Sequence, residues 1–294
     1  MQEQFRIRGR LLRLGSVESD GFNYLSDVVA SVAQARASRS MDIFTFVQTL
    51  PHTQREFDFQ MELDNFAALP ISSYEHWWTS QIDNKTRNMI RKGEKKGLSV
   101  REVPFDDAFV SGITAIYNET PVRQGKRFWH YGKDCVTVRR ENGSLRNQSV
   151  YIGAFFESEL VGFVKLVIDR YGGQAAMMQV LSMVRHRDKA PTNALISQVV
   201  RSCAERHIPY AVYARFAYGK KHHDSLVAFK LSNGFKRVDV PRYYVSFTSL
   251  GALALKFGFH HRLSERIPEN MLDGFRRLRR LWYERRVPVQ VKEL

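Results

Sequence analysis

Three apolar runs, Val150–Phe156, Val161–Asp169 and Ala175–Val184, are separated by turn-forming residues at Glu157-Ser158 and Tyr171-Gly172-Gly173. Runs of this length between such turns predict an antiparallel meander. Past Pro191 the period lengthens, with Leu195, Ile196, Val199 and Val200 on one face, predicting a helix over 192–206 entered through Thr192. A strand at Tyr210–Ala214, a helix at Asp224–Leu231 closed by Asn233-Gly234, and two strands, Arg237–Val240 and Tyr243–Phe247, complete this part of the pattern.

Upstream, Trp77, Trp78, Ile82, Met89 and Ile90 predict one long helix from Tyr74 to a stop at Gly97. Leu98–Val103 alternates like a strand, and Phe109, Ile113, Ile116 and Tyr117 predict an amphipathic helix over 106–118. The first 70 residues read as strands, including Ile43–Val47, and one helix, Tyr24–Arg36. After Gly251 come Leu253, Leu255, Phe257, Phe259 and Leu263 with His260 and His261. A helix over 270–286 then sets Met271, Phe275, Leu278, Leu281 and Trp282 opposite Arg276, Arg277, Arg279, Arg280, Arg285 and Arg286. Such a basic amphipathic helix suits an anionic membrane or RNA, or packs on its own domain.

With 294 residues, 44% of them hydrophobic, the chain can bury a substantial core as one large domain or two small ones. Forty-five Lys and Arg against thirty Asp and Glu give a net charge of +15, which favours anionic partners. Cys135 and Cys203 lack disulfide or metal-ligand spacing, and no leader-like apolar run follows Arg6, Arg8, Arg10 and Arg13, so a reducing cytoplasm is expected. No apolar stretch approaches the roughly 20 residues of a membrane span, which leaves only a peripheral membrane role. The nine histidines show no HExxH pattern, and no metal is expected.

Chemistry concentrates in the segment from Glu119 to Asp134, which has no apolar period and combines cations with Phe128, Trp129, His130 and Tyr131. It reads as a substrate loop in which Arg123, Gln124 and Lys126, with Trp129 and Tyr131, hold an anionic or sugar substrate. The plainer alternative is a surface loop stapled down by its aromatics. Lys85, Arg87, Arg91, Lys92, Lys95 and Lys96 form either a nucleic-acid-binding face or a solvated helix face helped by the macrodipole. Lys220 and His222, in the turn from Tyr218 to Asp224, are further substrate candidates, unless this is a hydrophilic turn capped by Asp224.

The order meander, helix, strand, helix, strand pair resembles the GNAT superfamily of N-acetyltransferases. The stretches Lys85-Thr-Arg-Asn-Met-Ile-Arg-Lys-Gly-Glu-Lys-Lys-Gly97, Phe229-Lys-Leu-Ser-Asn-Gly-Phe235 and Pro241-Arg-Tyr-Tyr244 resemble its FemAB-like branch, over roughly residues 60–250. The resemblance implies an α+β fold with a mixed, mostly antiparallel sheet flanked by helices. It implies a degenerate N-terminal unit (1–100), a transferase domain (101–250) and a basic helical extension (251–294).

Members of this branch transfer acyl or aminoacyl groups to amines of cell-envelope or polysaccharide precursors. The donor implied is acyl-CoA, such as acetyl-CoA, or aminoacyl-tRNA. The chain departs from the acetyl-CoA pattern because its expected pyrophosphate turn, Arg185 to Asn193, has no glycine and contains Pro191. Arg185, His186, Arg187, Lys189, Thr192 and Asn193 are the donor-binding candidates there. For proton transfer the candidates are Glu119 and His130 as base and Tyr213 or Tyr218 as acid. Each has a structural alternative: an ion pair for Glu119, packing for His130, an ordinary strand position for Tyr213. A nucleic-acid-binding protein that retains the fold without transfer chemistry is the remaining alternative.

Overall fold

The computed structural model describes residues 5–17, 25, 27–123, 125–169, 172–217 and 225–261. In chain order its elements are β1 (Phe5–Arg8), β2 (Leu14–Val17), α1 (Val28–Ala37), β3 (Ile43–Val47), β4 (Gln60–Pro70), α2 (Tyr74–His76), α3 (Asn84–Lys95), β5 (Ser99–Val103) and α4 (Asp107–Asn118). Then follow β6 (Val122–Arg123), β7 (Lys126–Arg127), α5 (Cys135–Asn142), β8 (Ser149–Phe156), β9 (Glu159–Ile168), β10 (Ala175–Ser182) and α6 (Pro191–Glu205). The last are β11 (Tyr210–Arg215), α7 (Ser225–Ser232), β12 (Lys236–Ser246) and α8 (Ser249–Lys256). The chain divides into two compact units, one comprising Met1–Asp83, Val167–Met178 and Val200–Arg262, the other Asn84–Leu166, Gln179–Val199 and Leu263–Leu294.

In the first unit the strands run in the order β1, β2, β3, β12, β4, β11 and the start of β10. Strand β3 is buried along its whole length, as its run of β-branched and aromatic residues requires. On one face Phe44, Phe46 and Tyr243 pack with Phe57, Phe59 and Phe247 and with Val32 and Ala35 of α1. Tyr243 stacks on Phe46 at 5.1 Å, and its hydroxyl donates to Gln48 Oε1 (2.7 Å) while accepting from Glu56 N (2.9 Å). This buried ring therefore has a fully used polar end.

One difference from the sequence reading concerns Pro241, which separates the two strands expected near the end of the pattern. The structure has one strand, β12, paired antiparallel to β4 from Lys236 to Tyr244 and to β3 from Arg242 to Ser246. The carbonyl of Pro241 accepts from Gln48 N (3.0 Å), so its nitrogen faces the same side, past the last residue of β3. A proline costs no ladder bond where the neighbouring strand has ended.

The second unit orders β5, β8, β9 and the end of β10. Strands β8 and β9 form a hairpin through Glu157 and Ser158, both at positive φ (48° and 72°), the two-residue connection that matches strand twist. Strand β9 is covered on both faces. Phe163 meets Phe109 of α4 edge-on at 6.1 Å, and a Cβ on Gly162 would lie 3.1 Å from Leu195 of α6. Helix α4 starts at Asp106, whose side chain accepts from Phe109 N (2.8 Å), and buries the predicted Phe109, Ile113, Ile116 and Tyr117.

The long helix expected from Tyr74 to Gly97 is interrupted. After α2 the chain forms a π turn, Trp77–Gln81, turns extended at Ile82 and restarts as α3. Trp77 is fully buried and its Nε1 donates to Asn233 O (3.0 Å), an anchor that a straight amphipathic helix ignores. Helices α5 and α8, each eight residues long, went unpredicted; their caps are Asp134 and Thr248. The expected helix over 270–286 and the turn residue Tyr171 lie outside the described residues.

Helix α3 buries Thr86, Ile90 and Gly93. A Cβ on Gly93 would stand 2.3 Å from the carbonyl oxygen of Lys189, so glycine sets how closely α3 approaches the segment ahead of α6. Gly93→Ala gains about 1 kcal/mol of helix propensity but, with the new Cβ driven into a backbone carbonyl, incurs an overpacking cost at the upper end of the usual range, about 2–3 kcal/mol. We expect a net loss of about 1–2 kcal/mol in urea unfolding; an alanine variant as stable as the parent would refute this close contact.

Candidate functional site

Glu119 follows the last turn of α4, and its side chain is only 9% exposed. Oε2 accepts from Val184 N (2.7 Å) and Arg123 Nη2 (3.1 Å), and Oε1 accepts from Arg185 N (3.0 Å). Arg123 also donates to Ser182 O (2.9 Å) and Ile116 O (3.1 Å) and lies over the Phe128 ring at 4.5 Å. Burial lowers the Arg123 pKa, Glu119 opposes that, and nearby Arg187 adds to it. The carboxylate therefore ties the end of α4 to the chain leaving β10. This is the structural ion pair that stood as the alternative to Glu119 as base and Arg123 as substrate ligand.

The segment leaving β10 is a short 3-10 turn, Val184–Lys189, followed by Ala190 at φ 48° and by Pro191, the first residue of α6. Its backbone donors are largely taken. Val184 and Arg185 serve Glu119, Asn193 and Ala194 both point at Ala190 O (3.1 and 3.3 Å), and Pro191 has no N–H. Thr192 Oγ1 bonds Ser182 Oγ (2.9 Å), and Asn193 is buried. A backbone cradle of the kind that binds pyrophosphate at a helix N-terminus is thus closed by the chain itself.

Cations remain around this turn. Arg185 and His186 pair with Glu159, Lys189 lies 4.3 Å above the Phe156 ring, and Lys96 of the adjoining segment pairs with Asp188 (2.6 Å). Arg187 is exposed, without a carboxylate partner among the described residues. Lys85, Arg91, Lys92 and Lys95 of α3 are exposed, and Arg87 is half-buried beside Asn84. Gly93 seats α3 against the backbone of Lys189, and Lys96 just past α3 reaches Asp188 of the turn.

The segment after Glu119 does contain a period, of two. Phe128 and His130 point inward while Trp129 (67% exposed) and Tyr131 point outward, following the small β6–β7 hairpin. Phe128 builds core rather than lining a groove, contrary to the sequence expectation. His130 is also corrected as a base. Its ring sits 4.1 Å from that of Tyr117 and 3.8 Å from that of Trp129. Burial first, then Lys133 and Arg123, press its pKa down to about 3. A neutral imidazole of that basicity is a poor proton acceptor at pH 7. Lys126 is exposed.

In the first unit, Tyr213 on β11 packs at 5.9 Å from Phe235, with Lys230 Nζ 5.0 Å from its ring. Gln124, Tyr218, Lys220 and His222 lie outside the described residues. Sequence reading missed a charged group on the β4–β12 face. Asp64 takes Arg215 (3.2 Å) and Arg242 (2.5 Å), and Glu62 takes His260 (2.9 Å) and His261 (3.2 Å). The available signal was the pair Glu62 and Asp64, two apart in a strand whose next inward positions, Phe66 and Ala68, are apolar.

Two outcomes follow from this geometry. Glu119→Gln removes the charge that serves three donors and leaves Arg123 uncompensated, so stability falls by about 2–4 kcal/mol in chemical denaturation. A variant that kept its stability while losing all transfer activity would instead identify Glu119 as a base. His130 has a folded pKa of about 3 against 6.5 when unfolded, so only the unfolded state takes up a proton between those values. Its contribution to stability is present above pH 6.5 and declines on acidification by up to about 1.4 kcal/mol per pH unit. His130→Phe should flatten the urea-midpoint profile between pH 7 and 5, and an unchanged profile would contradict the burial.

Neither a scan of family models nor a search of curated proteins finds a match to the chain. Solved structures do match. FemX aligns with a TM-score of 0.57 at 10% identity, over 81% of this chain and 83% of its own. L-PGS from Bacillus licheniformis aligns at 0.55 and 13% identity, over 86% and 83%. The C-terminal domain of a protein assigned as a lysylphosphatidylglycerol synthetase, from Agrobacterium fabrum, aligns at 0.55 and 14%, over 86% and 82%. The chain has a GNAT-like fold, a mixed and mostly antiparallel sheet flanked by helices, as the FemAB-like resemblance implied.

Proposed function

We propose that the chain is an acyltransferase that passes an aminoacyl group from aminoacyl-tRNA to an amine of a cell-envelope or polysaccharide precursor. The observation that carries the choice of donor is the Val184–Lys189 turn with α3 seated against it: the Val184 and Arg185 amides are bonded to Glu119, while Arg185, Arg187 and, on α3, Lys85, Arg91, Lys92 and Lys95 are exposed. Twelve helical residues span about 18 Å, a length suited to successive phosphates of an RNA stem. Acyl-CoA, the first donor expected from the sequence, is the second reading, supported by exposed Arg187 beside Arg185 and Lys189.

In this reading a neutral amine attacks the ester carbonyl, the C–N bond forms, the C–O bond to ribose breaks, and the proton that the nitrogen gives up is balanced by the one that the departing ribose oxygen takes. Tyr213 and Tyr218 are the proposed acids. Within the second unit Trp129, Tyr131 and Lys126, with Gln124, are proposed to receive the acceptor; Lys220 and His222 are separate candidates of the first unit. A membrane contact through residues 270–286 concerns a segment outside the described residues; within them no helix is long and apolar enough to cross a membrane.

The test is filter binding of radiolabelled aminoacyl-tRNA across a salt series, with transfer to amine acceptors followed in parallel. The combined variant Lys85→Ala, Arg91→Ala, Lys92→Ala, Lys95→Ala should keep its melting temperature and reduce the salt slope by about 3–4, one phosphate per cation. Protection by acetyl-CoA with no tRNA binding would move the donor to CoA. Tight RNA binding with no transfer to any amine would favour a non-catalytic protein.

A further inference from the structure

The charged group on the β4–β12 face divides in two. Asp64 holds both guanidinium groups, Arg215 and Arg242. Among the described residues the carboxylate of Glu62 pairs with the imidazoles of His260 and His261 and with no arginine or lysine. Both Nε2 atoms converge on the same oxygen, Oε1, at 2.9 and 3.2 Å. Ligand atoms of the three residues all lie within 4.8 Å of one another.

We propose that Glu62, His260 and His261 bind a divalent transition-metal ion, zinc being the best fit. With metal–ligand bonds of about 2.0–2.1 Å, tetrahedral ligand atoms stand about 3.3 Å apart, close to the two separations observed. Two imidazoles and a carboxylate favour zinc and its late first-row neighbours over magnesium or calcium. The site is held from one side and open on the other. The His260 side chain is 1% exposed and meets the Tyr244 ring at 4.6 Å, whereas His261 is 36% exposed, which leaves room for water as fourth ligand.

The backbone prepares this arrangement. After α8 the chain turns through Gly258 at φ 68°, with Phe259 N donating to Ala254 O (2.7 Å) and His261 N to Gly258 O (3.2 Å), so adjacent histidines present their rings to one carboxylate. In both rings Nε2 is the atom that faces Glu62 and would take the metal. Among the described residues His260 Nδ1 is buried with no hydrogen-bond partner, so none of them supplies the outer acceptor that usually strengthens a zinc histidine. That omission typically costs about 10–100-fold in affinity, which makes this a moderate site rather than a tight one. Its effect would be to fasten the turn after α8 onto β4.

The test is calorimetric titration of the EDTA-treated, untagged full chain with Zn²⁺, and titration with Co²⁺ followed by its visible bands. One zinc per chain, a rise in melting temperature and the intense bands of four-coordinate cobalt are expected. Glu62→Gln and His261→Ala should each weaken zinc by about 10-fold or more while retaining the metal-free melting curve. A separate Tyr244→Phe control should bind as the parent does, because the ring and not the hydroxyl supports His260. Absence of binding by the parent, or equal affinity in parent and both ligand variants, would overturn the proposal, the latter by placing zinc on other histidines.

Discussion

The carboxylate of Glu119 is the constraint on which the second unit turns. One negative charge receives a guanidinium and two consecutive backbone amides, from residues four, 65 and 66 positions further on. Charge-assisted bonds of this kind are roughly twice as strong as neutral ones, and burial prevents water from replacing them. What the clasp fixes is the path of the chain out of β10, and with it the start of α6. The glycines by which many GNAT proteins open this turn toward pyrophosphate have no counterpart here, and two of the amides are spoken for. The same bond that stabilises the turn therefore removes a backbone anion site from it.

Helix α3 is explained poorly by stability alone. Arg87, Arg91 and Lys95 stand at successive i,i+4 positions, as do Lys92 and Lys96, and like charges so spaced destabilise a helix by about 0.2–0.5 kcal/mol per pair. The macrodipole rewards Lys92 and Lys95 in the last turn but opposes Lys85 and Arg87 near the first. What holds the helix is its inner stripe of Thr86, Ile90 and Gly93. The outer cations are thus not what holds the helix.

Much of the fold was legible because local signals sufficed. The meander, α4, α6 and the helix before Asn233-Gly234 follow from period, caps and turn residues that lie within a few positions of one another. The failures share a cause at long range. Pro241 breaks a strand in isolation and is harmless only because β3 stops beside it. Trp77 interrupts a helix because its indole finds Asn233, 156 positions away. At the site, the basic face and the turn were visible as composition, but Glu119 looked catalytic until its two amide partners were in place. His130 looked like a base because alternation over 128–131 hides when the inward residue is a histidine.

Withdrawing Glu119 and His130 from acid–base duty weakens the proposed transfer chemistry less than it first suggests. An aminoacyl ester is already activated, and a positioned base contributes about 10²–10⁴-fold, or about 3–5 kcal/mol. Holding amine and ester together contributes about 7–11 kcal/mol through prepaid entropy. A transferase of this kind depends first on gripping a large donor in one register. In the proposed reaction a turn clasped by a buried carboxylate and seated against α3 through Gly93 would supply that register. Proton transfer then requires only a group of suitable reach, and no buried charge needs to be rearranged to provide it.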